Sequence, residues 1–402
     1  MYAGKGLQDV TVRSQPVKDS LINTAQVSWR DPSPVKLLHS QLGDSAYAFV
    51  TLFVSPKADF TAVVEEASTV FPGVDVMACT TAGEISNAGY DEGKIVAIGF
   101  PAHDFTVSPC LIENLDTLDT QKTVDRITLN RLSLQQERAD LQHMFAFLVV
   151  DGMSLSEDLL AATVSPALGD IPVFGGSAGD GTDFSRTLVA LNGRIAENAA
   201  VLTMIRSRFR TRVFSLNHLV PTDVKMVVTE ADPARRIVKS INAEPAAREY
   251  ARVVGKDPEQ LDRFIMAAHP VVVRIGDAHH VRAIQQVNDA GELVFFSAVD
   301  EGMVLTVAGA LDMAEHLENE LQKLVEDEPP VDIIACDCIL RRIEAEQSQM
   351  VRPMSEILSR HNVTGFSTYG EQVGPLHVNQ TMSGVAFYRD AHDIDGGEDS
   401  GQ

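Results

Sequence analysis

The sequence predicts an α/β protein with mixed sheets that are built from repeated strand–helix–strand units. The main observation is a short motif, Ser/Thr, any residue, Gly and then an acid, that occurs three times, at 81–84, 177–180 and 368–371. A second observation is an apolar, β-rich run upstream of each copy, at 49–54, 147–150 and 331–335. A helix-like segment separates each run from its motif, and a strand-like run follows the motif. Such a repeat constrains the whole fold.

Each copy of the motif is expected to form a turn at the end of a strand. A Gly at the same point of every copy suggests a position that needs a positive φ or a close backbone approach. The neighbouring Ser/Thr and Asp/Glu can bind amides of the turn, or amides that line a ligand. Three structural turns are the favoured interpretation. If the motifs bind a ligand instead, the contacting residues are expected to be Ser177, Gly179, Asp180, Tyr369 and Glu371.

The remaining elements follow from local patterns along the chain. Strands are predicted at 46–54, 74–79, 94–100, 105–112, 144–150, 171–176, 188–191, 199–205, 225–230, 236–241, 271–275, 281–287, 293–298 and 304–308. Apolar residues three and four positions apart predict helices at 60–70, 118–141, 154–168, 245–254, 257–266 and 311–325. Asp59 is a candidate cap of the first helix, and Asn192-Gly193 predicts a tight reversal.

Composition is typical of a globular protein of 402 residues, with 45% hydrophobic and 22% charged residues. A formal net charge of −23 opposes phosphate backbones and anionic lipids, so neither nucleic acid nor a membrane is expected as a partner. No run reaches the roughly 18 apolar residues of a membrane-spanning helix. Residues 1–20 lack the apolar core of a signal peptide, and the expected location is the cytoplasm.

Four segments are predicted along the chain. Residues 1–31 are polar and read as a mobile or loosely docked arm. Residues 32–240 and 241–390 form an N-terminal and a C-terminal region, and 391–402 form an acidic, disordered tail. Because the motif copies lie in both regions, the first and third copies are expected to pair across the chain.

Two other motifs suggest chemistry that we expect to be absent. Gly175–Gly179 matches G-x-S-x-G, but a nucleophile elbow needs a helix directly after the serine, and the residues after Ser177 read as loop and strand. A hydrolase that uses Ser177 is therefore the third hypothesis, and the chain is not expected to be an enzyme. Cys336 and Cys338 can share one face of a strand, but no second ligand pair of zinc-site spacing follows, so two buried thiols are favoured over a metal site.

The motifs together resemble the FIST domain family. Residues 79–85 and 175–180 are similar to its N-terminal region, whereas His269-Pro270 with the strands that follow, and residues 365–371, are similar to its C-terminal region. The resemblance covers about residues 32–390 and implies two intertwined FIST regions. It also implies a small-ligand sensor that is coupled to signal transduction.

Within the family, residues 366–372 and 377–381 are most similar to NosP, the branch of haem-containing nitric oxide sensors. That similarity implies haem b held by a histidine, nitric oxide as the ligand, and a separate histidine kinase partner that feeds a phosphorelay or cyclic-di-GMP control. A homodimer is compatible with it. The alternative is a FIST sensor that binds a small organic ligand without haem.

His218 is the predicted axial ligand, with His361 and His377 as alternatives because both flank the third motif. Leu216, Leu219 and Val220 can supply an apolar wall for a porphyrin, and Asn217 can orient the imidazole. The alternating residues Arg206, Arg208, Arg210 and Arg212 are expected on one strand face, where Arg208 and Arg210 in particular can reach haem propionates. A solvated edge face is the favoured alternative for these arginines.

Overall fold

The computed structural model describes residues 20–276, 278–325 and 328–389. The first repeat unit and its flanks comprise β1 Asn23–Ser28, α1 Pro34–Leu42, β2 Tyr47–Val54, α2 Phe60–Val70, β3 Asp75–Thr80, β4 Glu84–Ser86, β5 Gly89–Asp91, β6 Lys94–Pro101, β7 Phe105–Glu113 and α3 Thr120–Gln136. The second unit comprises β8 His143–Val150, α4 Glu157–Leu168, β9 Val173–Ser177, β10 Val189–Leu191, β11 Arg194–Ala196, β12 Ala199–Ser207 and β13 Arg210–Leu216.

A sheet-rich segment separates the second unit from the third. It comprises β14 Leu219–Asp232, β15 Ile237–Ile241, β16 Glu244–Pro245, α5 Ala246–Val254, α6 Arg263–Ala268, β17 Val271–Ile275, β18 Ala278–Arg282, β19 Ile284–Val287, β20 Leu293–Phe295, β21 Val304–Ala310 and α7 Met313–Gln322. The third unit comprises β22 Asp332–Cys338, α8 Ile339–Gln347, α9 Val351–Arg360, β23 Val363–Thr368, β24 Glu371–Val373, β25 Leu376–Val378 and β26 Met382–Tyr388.

Each unit builds its own six-stranded sheet around one parallel strand pair. The parallel pairs are β2 with β3, β8 with β9 and β22 with β23, and helices connect the two strands of each pair. Along the described chain the three sheets have the orders β1-β6-β2-β3-β10-β11, β7-β12-β8-β9-β24-β25 and β13-β26-β22-β23-β4-β5. The predicted α/β class with mixed sheets is therefore confirmed, and so is the repeated unit.

The three sheets exchange their terminal hairpins in a cycle. The hairpin after the first motif, β4–β5, pairs with β23 of the third unit. The hairpin after the second motif, β10–β11, pairs with β3, and the one after the third motif, β24–β25, pairs with β9. The expected pairing of the first and third copies is thus confirmed, because no unit completes its sheet without a strand from another unit.

Phenylalanine side chains from all three sheets meet in the central core. Phe53 of the first sheet stacks on Phe366 of the third at 4.4 Å between ring centroids and meets Phe147 of the second edge-on at 6.3 Å. All three are buried. Aromatic burial of this kind is a large favourable term in folding, so the centre fixes the relative position of the three units.

An eight-stranded sheet of the segment 219–310 lies beside this core, with β18-β17-β21-β14-β15-β20-β19 in order and β16 added to β15. Its own apolar cluster includes Met226, Tyr250 and Leu305. No helix in the described ranges is both long enough and apolar enough to cross a membrane.

Local predictions hold best where a cap or turn residue fixes the chain. Asp59 accepts a hydrogen bond from the Ala62 amide at 3.1 Å and starts α2 as expected. Asn192 and Gly193 both have positive φ, 51° and 82°, in the two-residue turn between β10 and β11. Such φ values suit the turn types that match the twist of a hairpin.

Two predictions were wrong, one about the N-terminal arm and one about the helix at 257–266. Residues 23–28 of the arm form β1, an edge strand that pairs with β6, because Asp332 binds the amides of Leu21 and Ile22 and anchors the strand. Residues 1–19 of the arm, and the tail at 391–402, lie outside the described residues. The helix divides because Asp257 and Pro258 start a separate short 3₁₀ turn before α6.

Candidate functional site

The three motif turns are joined to one another by backbone hydrogen bonds. The amides of Gly179 and Gly181 donate to carbonyls of the first motif strand, Thr80 and Thr81, at 3.2 and 3.1 Å. In the same way the Ser177 amide donates to Gly370 at 2.8 Å, and the Ala82 amide donates to Ser367 at 2.9 Å. The motifs therefore form a closed triangle at the point where the hairpins are exchanged.

The glycine of the first motif combines both properties that the sequence suggested. Gly83 has a φ of 138°, and a Cβ placed there would lie 2.0 Å from Nη1 of Arg342. The glycines of the other motifs have ordinary φ but also have no room for a side chain, since a Cβ placed on Gly179 would lie 2.7 Å from Ala82 Cβ and one placed on Gly370 would lie 2.3 Å from the His377 ring. Close approach is thus the common requirement, because a side chain would push the turns apart.

The acids of the first and third motifs are used inside their own turns. Thr81 Oγ1 donates to Glu84 Oε1 at 2.5 Å, and the Lys94 amide donates to Oε2 at 3.0 Å. Glu371 likewise accepts from the hydroxyls of Thr368 and Thr381. Burial raises the pKa of Glu84 to about 7 and that of Glu371 to about 8, although these hydrogen bonds oppose the shift. The hydrogen-bonding capacity of both acids is therefore used inside their own turns.

The acid of the second motif behaves differently. Burial alone would raise the pKa of Asp180. The hydrogen bonds from the Tyr369 hydroxyl, from the Ser185 hydroxyl and amide, and from the Arg186 amide outweigh this effect and lower the pKa. The Ser185 and Arg186 amides both donate to Oδ2 at 2.8 Å. Ser177 does not bind this acid, since its hydroxyl instead accepts from Gln372 Nε2 at 3.0 Å. An ionised carboxylate thus organises the loop after β9.

Tyr369 closes this loop from the third unit. Its hydroxyl accepts from the Asp180 amide at 3.0 Å and binds the Asp180 carboxylate, and its ring stacks on Phe184 at 4.4 Å between centroids. The predicted ligand residues Asp180 and Tyr369 are therefore in direct contact, in a buried arrangement where Tyr369 positions the loop.

A cleft of about 290 Å³ opens beside the first two motifs. It is lined by the turn after β2, both motif turns, the turn before β6, the loop 180–183, and one face of α8, through Ser55, Pro56, Lys57, Ala82, Gly83, Glu84, Glu92, Gly93, Asp180, Gly181, Thr182, Asp183, Ile339, Arg342, Ile343 and Glu346. All three units contribute to it. A larger depression of about 410 Å³ on the eight-stranded sheet touches none of the motifs.

The charges of the cleft are arranged around Arg342. Its guanidinium donates to the Asp91 carbonyl at 2.9 Å and to the carboxylates of Glu92 and Glu346 at 3.3 Å. Lys57 contacts Glu92 at 3.3 Å. Both cations of the lining are thus paired with exposed acids, while Asp183 is exposed and makes no hydrogen bond or ion pair among the described residues. The cleft can bind a polar molecule by exchanging these partners.

His218 is fully buried and both of its ring nitrogens are occupied. Arg341 Nη1 lies 2.9 Å from Nδ1, and Glu344 Oε1 lies 2.9 Å from Nε2. A guanidinium can only donate, so Nδ1 is the acceptor and Nε2–H donates to Glu344. The one lone pair of the neutral ring is therefore taken by Arg341, and iron cannot bind it in this arrangement.

The alternative histidines lie elsewhere. His361 directly follows α9, and its Nε2 is 3.4 Å from Glu318 on α7. His377 is buried beside the third motif, with Nδ1 3.3 Å from Gln372 Nε2 and no hydrogen-bond partner for Nε2 among the described residues. None of the three histidines lines the cleft.

The prediction that four arginines share one strand face was wrong. β12 ends at Ser207 and β13 begins at Arg210 in a different sheet, so Arg208 lies between strands. Arg206 is buried and donates to the Leu134 carbonyl in the last turn of α3 at 3.1 Å and to the Leu141 carbonyl in the loop before β8 at 3.0 Å. Arg210 stacks over the Tyr388 ring, and Arg212 lies 3.4 Å from the Lys323 carbonyl.

Haem does not fit at His218, the axial ligand that the sequence predicts first. The His218 imidazole is saturated by Arg341 and Glu344, while the propionate candidates Arg208 and Arg210 lie near Asp104 at 3.8 Å and over the Tyr388 ring. Cys336 and Cys338 are buried in two different apolar clusters, and burial raises the pKa of both thiols. No group of three or more His, Cys, Asp or Glu in the described ranges is arranged to hold a metal ion.

Sequence reasoning missed α8 as a wall of the cleft. Ile339, Arg342, Ile343 and Glu346 recur at the three- and four-residue spacing of one helix face, and that face is the one exposed to the motifs. This spacing in the segment 339–347 is the signal that could have identified the wall, although the sequence alone predicts only that a helix connects the two strands of the third unit.

Comparison with known proteins agrees with the arrangement of units. The family model of the FIST N domain matches residues 48–244, and that of the FIST C domain matches 246–374. The chain is also similar to the "Uncharacterized protein MJ1623" of Methanocaldococcus jannaschii, with 20% identity over 78% of this chain and 68% of that protein. The tandem matches cover most of the chain, in the family's order. The chain therefore belongs to the FIST family, whose domains act as sensors in signal transduction.

Proposed function

We propose that this protein senses a small polar organic molecule without haem, and that it binds this molecule in the cleft between the first two motifs and α8. The observation that carries the proposal is that all three units contribute to the cleft at the junction where their hairpins are exchanged. A ligand there contacts the turns that hold the three sheets together. The volume of the cleft, about 290 Å³, is close to the lower end of the range of about 300–1,000 Å³ for small-molecule sites.

The charges of the lining favour a ligand with polar or charged groups. Five carboxylates and two cations line the cleft, and both cations already contact acids. A bound molecule can replace Glu92 or Glu346 as the partner of Arg342, which would restore the hydrogen bonds of the guanidinium at little cost. Ile339 and Ile343 supply the apolar part of the wall.

The chain contains a natural reporter for this test. Trp29 is the single tryptophan of the sequence, and its ring packs on Gly93 at the edge of the cleft. We expect a ligand drawn from a panel of polar metabolites to shift Trp29 fluorescence and raise the melting temperature. Thr182→Phe fills the cleft from an exposed turn and should abolish both changes, whereas Thr61→Phe on the exposed side of α2 should leave them intact. Equal responses of both variants would place the ligand elsewhere.

Haem-based nitric oxide sensing is the second candidate, and one observation favours it. Nε2 of His377 is buried and has no hydrogen-bond partner in the described part of the chain. Titration with hemin separates the two candidates, since a Soret band that shifts with nitric oxide and is lost in His377→Ala but kept in His218→Ala would support haem at His377. Protein that stays colourless would leave the organic ligand. Under either candidate we propose a histidine kinase as the partner, which co-purification of the two proteins would test.

A further inference from the structure

A chain of buried polar side chains lies on the far side of α8 from the cleft. Tyr90 donates its hydroxyl to Asp337, and Arg341 Nε donates to the other oxygen of Asp337 at 2.7 Å. Arg341 Nη1 then donates to His218, and His218 donates to Glu344, both at 2.9 Å. Asp337, Arg341 and His218 are each fully buried. A buried network of this kind is costly to break once formed.

Two groups, Tyr90 and Arg341, fix which atom donates and which accepts in each of these hydrogen bonds. Burial and the charge of Asp337 hold the pKa of Tyr90 well above its usual range, so the phenol remains a donor. Arg341 has no acceptor, which makes Nδ1 of His218 the acceptor and Nε2 the donor. Asp337, Arg341 and His218 thus each have a hydrogen-bond partner on either side. Displacement of Arg341 would therefore break the hydrogen bond to His218.

The two faces of α8 connect the cleft with this chain. Arg342, which faces the cleft, and Arg341, which faces His218, are consecutive residues of one short helix. The Arg342 guanidinium also lies 5.7 Å from the Tyr90 ring, at the other end of the chain of bonds. A shift of α8 that follows a new partner of Arg342 therefore moves both ends of the buried chain.

His218 stands where two sheets are joined. It lies between the last residue of β13, Leu216, which belongs to the third six-stranded sheet, and Leu219, the first residue of β14 in the eight-stranded sheet. Its carbonyl accepts from the Leu311 amide at 2.8 Å, directly after β21. The side chain and backbone of His218 thus fix the start of β14 and the end of β21, which pair with each other, relative to α8.

The chain also contains atoms that allow a second arrangement. Arg341 Nη2, Glu344 Oε2 and His316 Nδ1 are buried without hydrogen-bond partners in the described ranges. The His316 and His218 rings lie 6.4 Å apart between centroids. A rearrangement that gives these atoms partners would offset the loss of the present bonds, which is what an element with two states requires.

We propose that α8 couples the cleft to the junction of β13 and β14 through Arg341 and His218. Ligand binding in the cleft would then change how strongly the third six-stranded sheet is bound to the eight-stranded sheet. This regulation rests on the function proposed above, because it names the response to occupancy of the same cleft. The coupling itself is a property of the folded chain and can be measured with no ligand present.

Hydrogen exchange of the full chain tests the coupling. Arg342→Ala removes the guanidinium that faces the cleft and the Tyr90 ring but leaves Arg341 and Glu344 in place, and we expect it to speed exchange of the amides at 219–228 and 304–310 by about tenfold, with β7 at 105–113 unchanged. Arg352→Ala on α9, whose side chain is exposed and forms an ion pair with Glu356, is the matched control and should change none of these segments. In a Glu344→Gln background, which weakens the bond to His218, Arg342→Ala should have a smaller effect on 219–228.

Two results would overturn the proposal. One is unchanged exchange at 219–228 in Arg342→Ala, and the other is faster exchange everywhere, including 105–113, which would indicate general loss of stability. If Glu344→Gln does not fold, His218→Asn replaces it as the second variant. A failed ligand screen would remove the function proposed above while this exchange result still stands or falls independently.

Discussion

The first and second motifs share a sequence pattern but differ in what their acids do. Glu84 is buried and bound by the hydroxyl of its own Thr81, whereas Asp180 binds the loop at 185–186 and Tyr369 of another unit. The difference begins at the hydroxyl residue, because Ser177 accepts from Gln372 instead of donating to the acid. A repeated motif can therefore form a turn in every copy, while the acid of one copy binds a neighbouring loop that lines a site.

The third motif resembles the first and provides the largest expected effect. Glu371→Ala removes the acceptor of two buried hydroxyls and of the Thr381 amide, so we expect a loss of about 3 kcal/mol in the free energy of unfolding. Asp180→Ala leaves donors on a loop that water can reach, and should cost about 1 kcal/mol. Urea denaturation at pH 6 measures both. Equal losses would mean that the two acids play the same part.

The glycines give the next largest difference. Gly83→Ala places a Cβ against Arg342 at a φ of 138°, and we expect a loss of about 2 kcal/mol. Gly181→Ala has a φ of 74° but no atom closer than 4.0 Å, so strain alone should cost about 1 kcal/mol. Combining Gly83→Ala with Arg342→Ala should reduce the loss, since the clash is removed and the strain stays. Urea denaturation of the three variants decides this, and an unrelieved loss would contradict it.

Local signals in the sequence located most of the fold. The cap at Asp59, the turn at Asn192-Gly193 and the strand–helix–strand unit that ends in each motif were predictable, because each depends on residues near in sequence. The cyclic exchange of hairpins was not, because a three-residue strand such as β4 carries no mark of its partner. Of the site, Asp180 and Tyr369 were selected from their motifs, but Arg342 was not, because only the packing of α8 against Gly83 brings it there.

The prediction of His218 as a haem ligand illustrates the same limit. Its apolar neighbours in sequence suggested a pocket, yet Arg341 and Glu344 lie more than one hundred positions away and occupy both ring nitrogens. A sequence pattern cannot reveal that a histidine is already saturated by residues from a distant helix.

The acids should also differ in how stability depends on pH. Unfolded Glu84 and Glu371 lose protons near their ordinary value of 4.5, whereas the folded groups keep them until about pH 7 and 8. The unfolded state then holds fewer protons between these limits, so stability falls as pH rises from 5, by up to about 1.4 kcal/mol per pH unit for each group, until about pH 7 for Glu84 and about pH 8 for Glu371. Asp180, with a lowered pKa, stabilises the fold at neutral pH, and its contribution is lost only in acid.

Urea denaturation across pH 4–9 measures this dependence. Glu84→Gln with Glu371→Gln should flatten the decline between pH 5 and 8, while Asp180→Asn should leave that range unchanged and alter only the acid side. A double variant that keeps the parent slope would show that other groups titrate in this window.

The smallest expected effect concerns Ser177, where the comparison between motifs begins. Ser177→Ala removes one of the two acceptors beside the buried Gln372 amide and leaves only His377 Nδ1 at 3.3 Å, which should cost about 1 kcal/mol. The Ser177 hydroxyl has no histidine or carboxylate within hydrogen-bond distance among the described residues, so hydrolysis of p-nitrophenyl acetate should be the same for Ser177→Ala and the parent. Loss of most of that activity in Ser177→Ala, but not in an exposed control such as Ser40→Ala, would instead support a hydrolase.

Ser177→Thr sharpens the comparison, because the first and third motifs already hold a threonine at this point. If its hydroxyl turns to Asp180 as Thr81 turns to Glu84, the loop at 185–186 should lose protection from hydrogen exchange, and the distinct role of the second motif would depend on this one side chain.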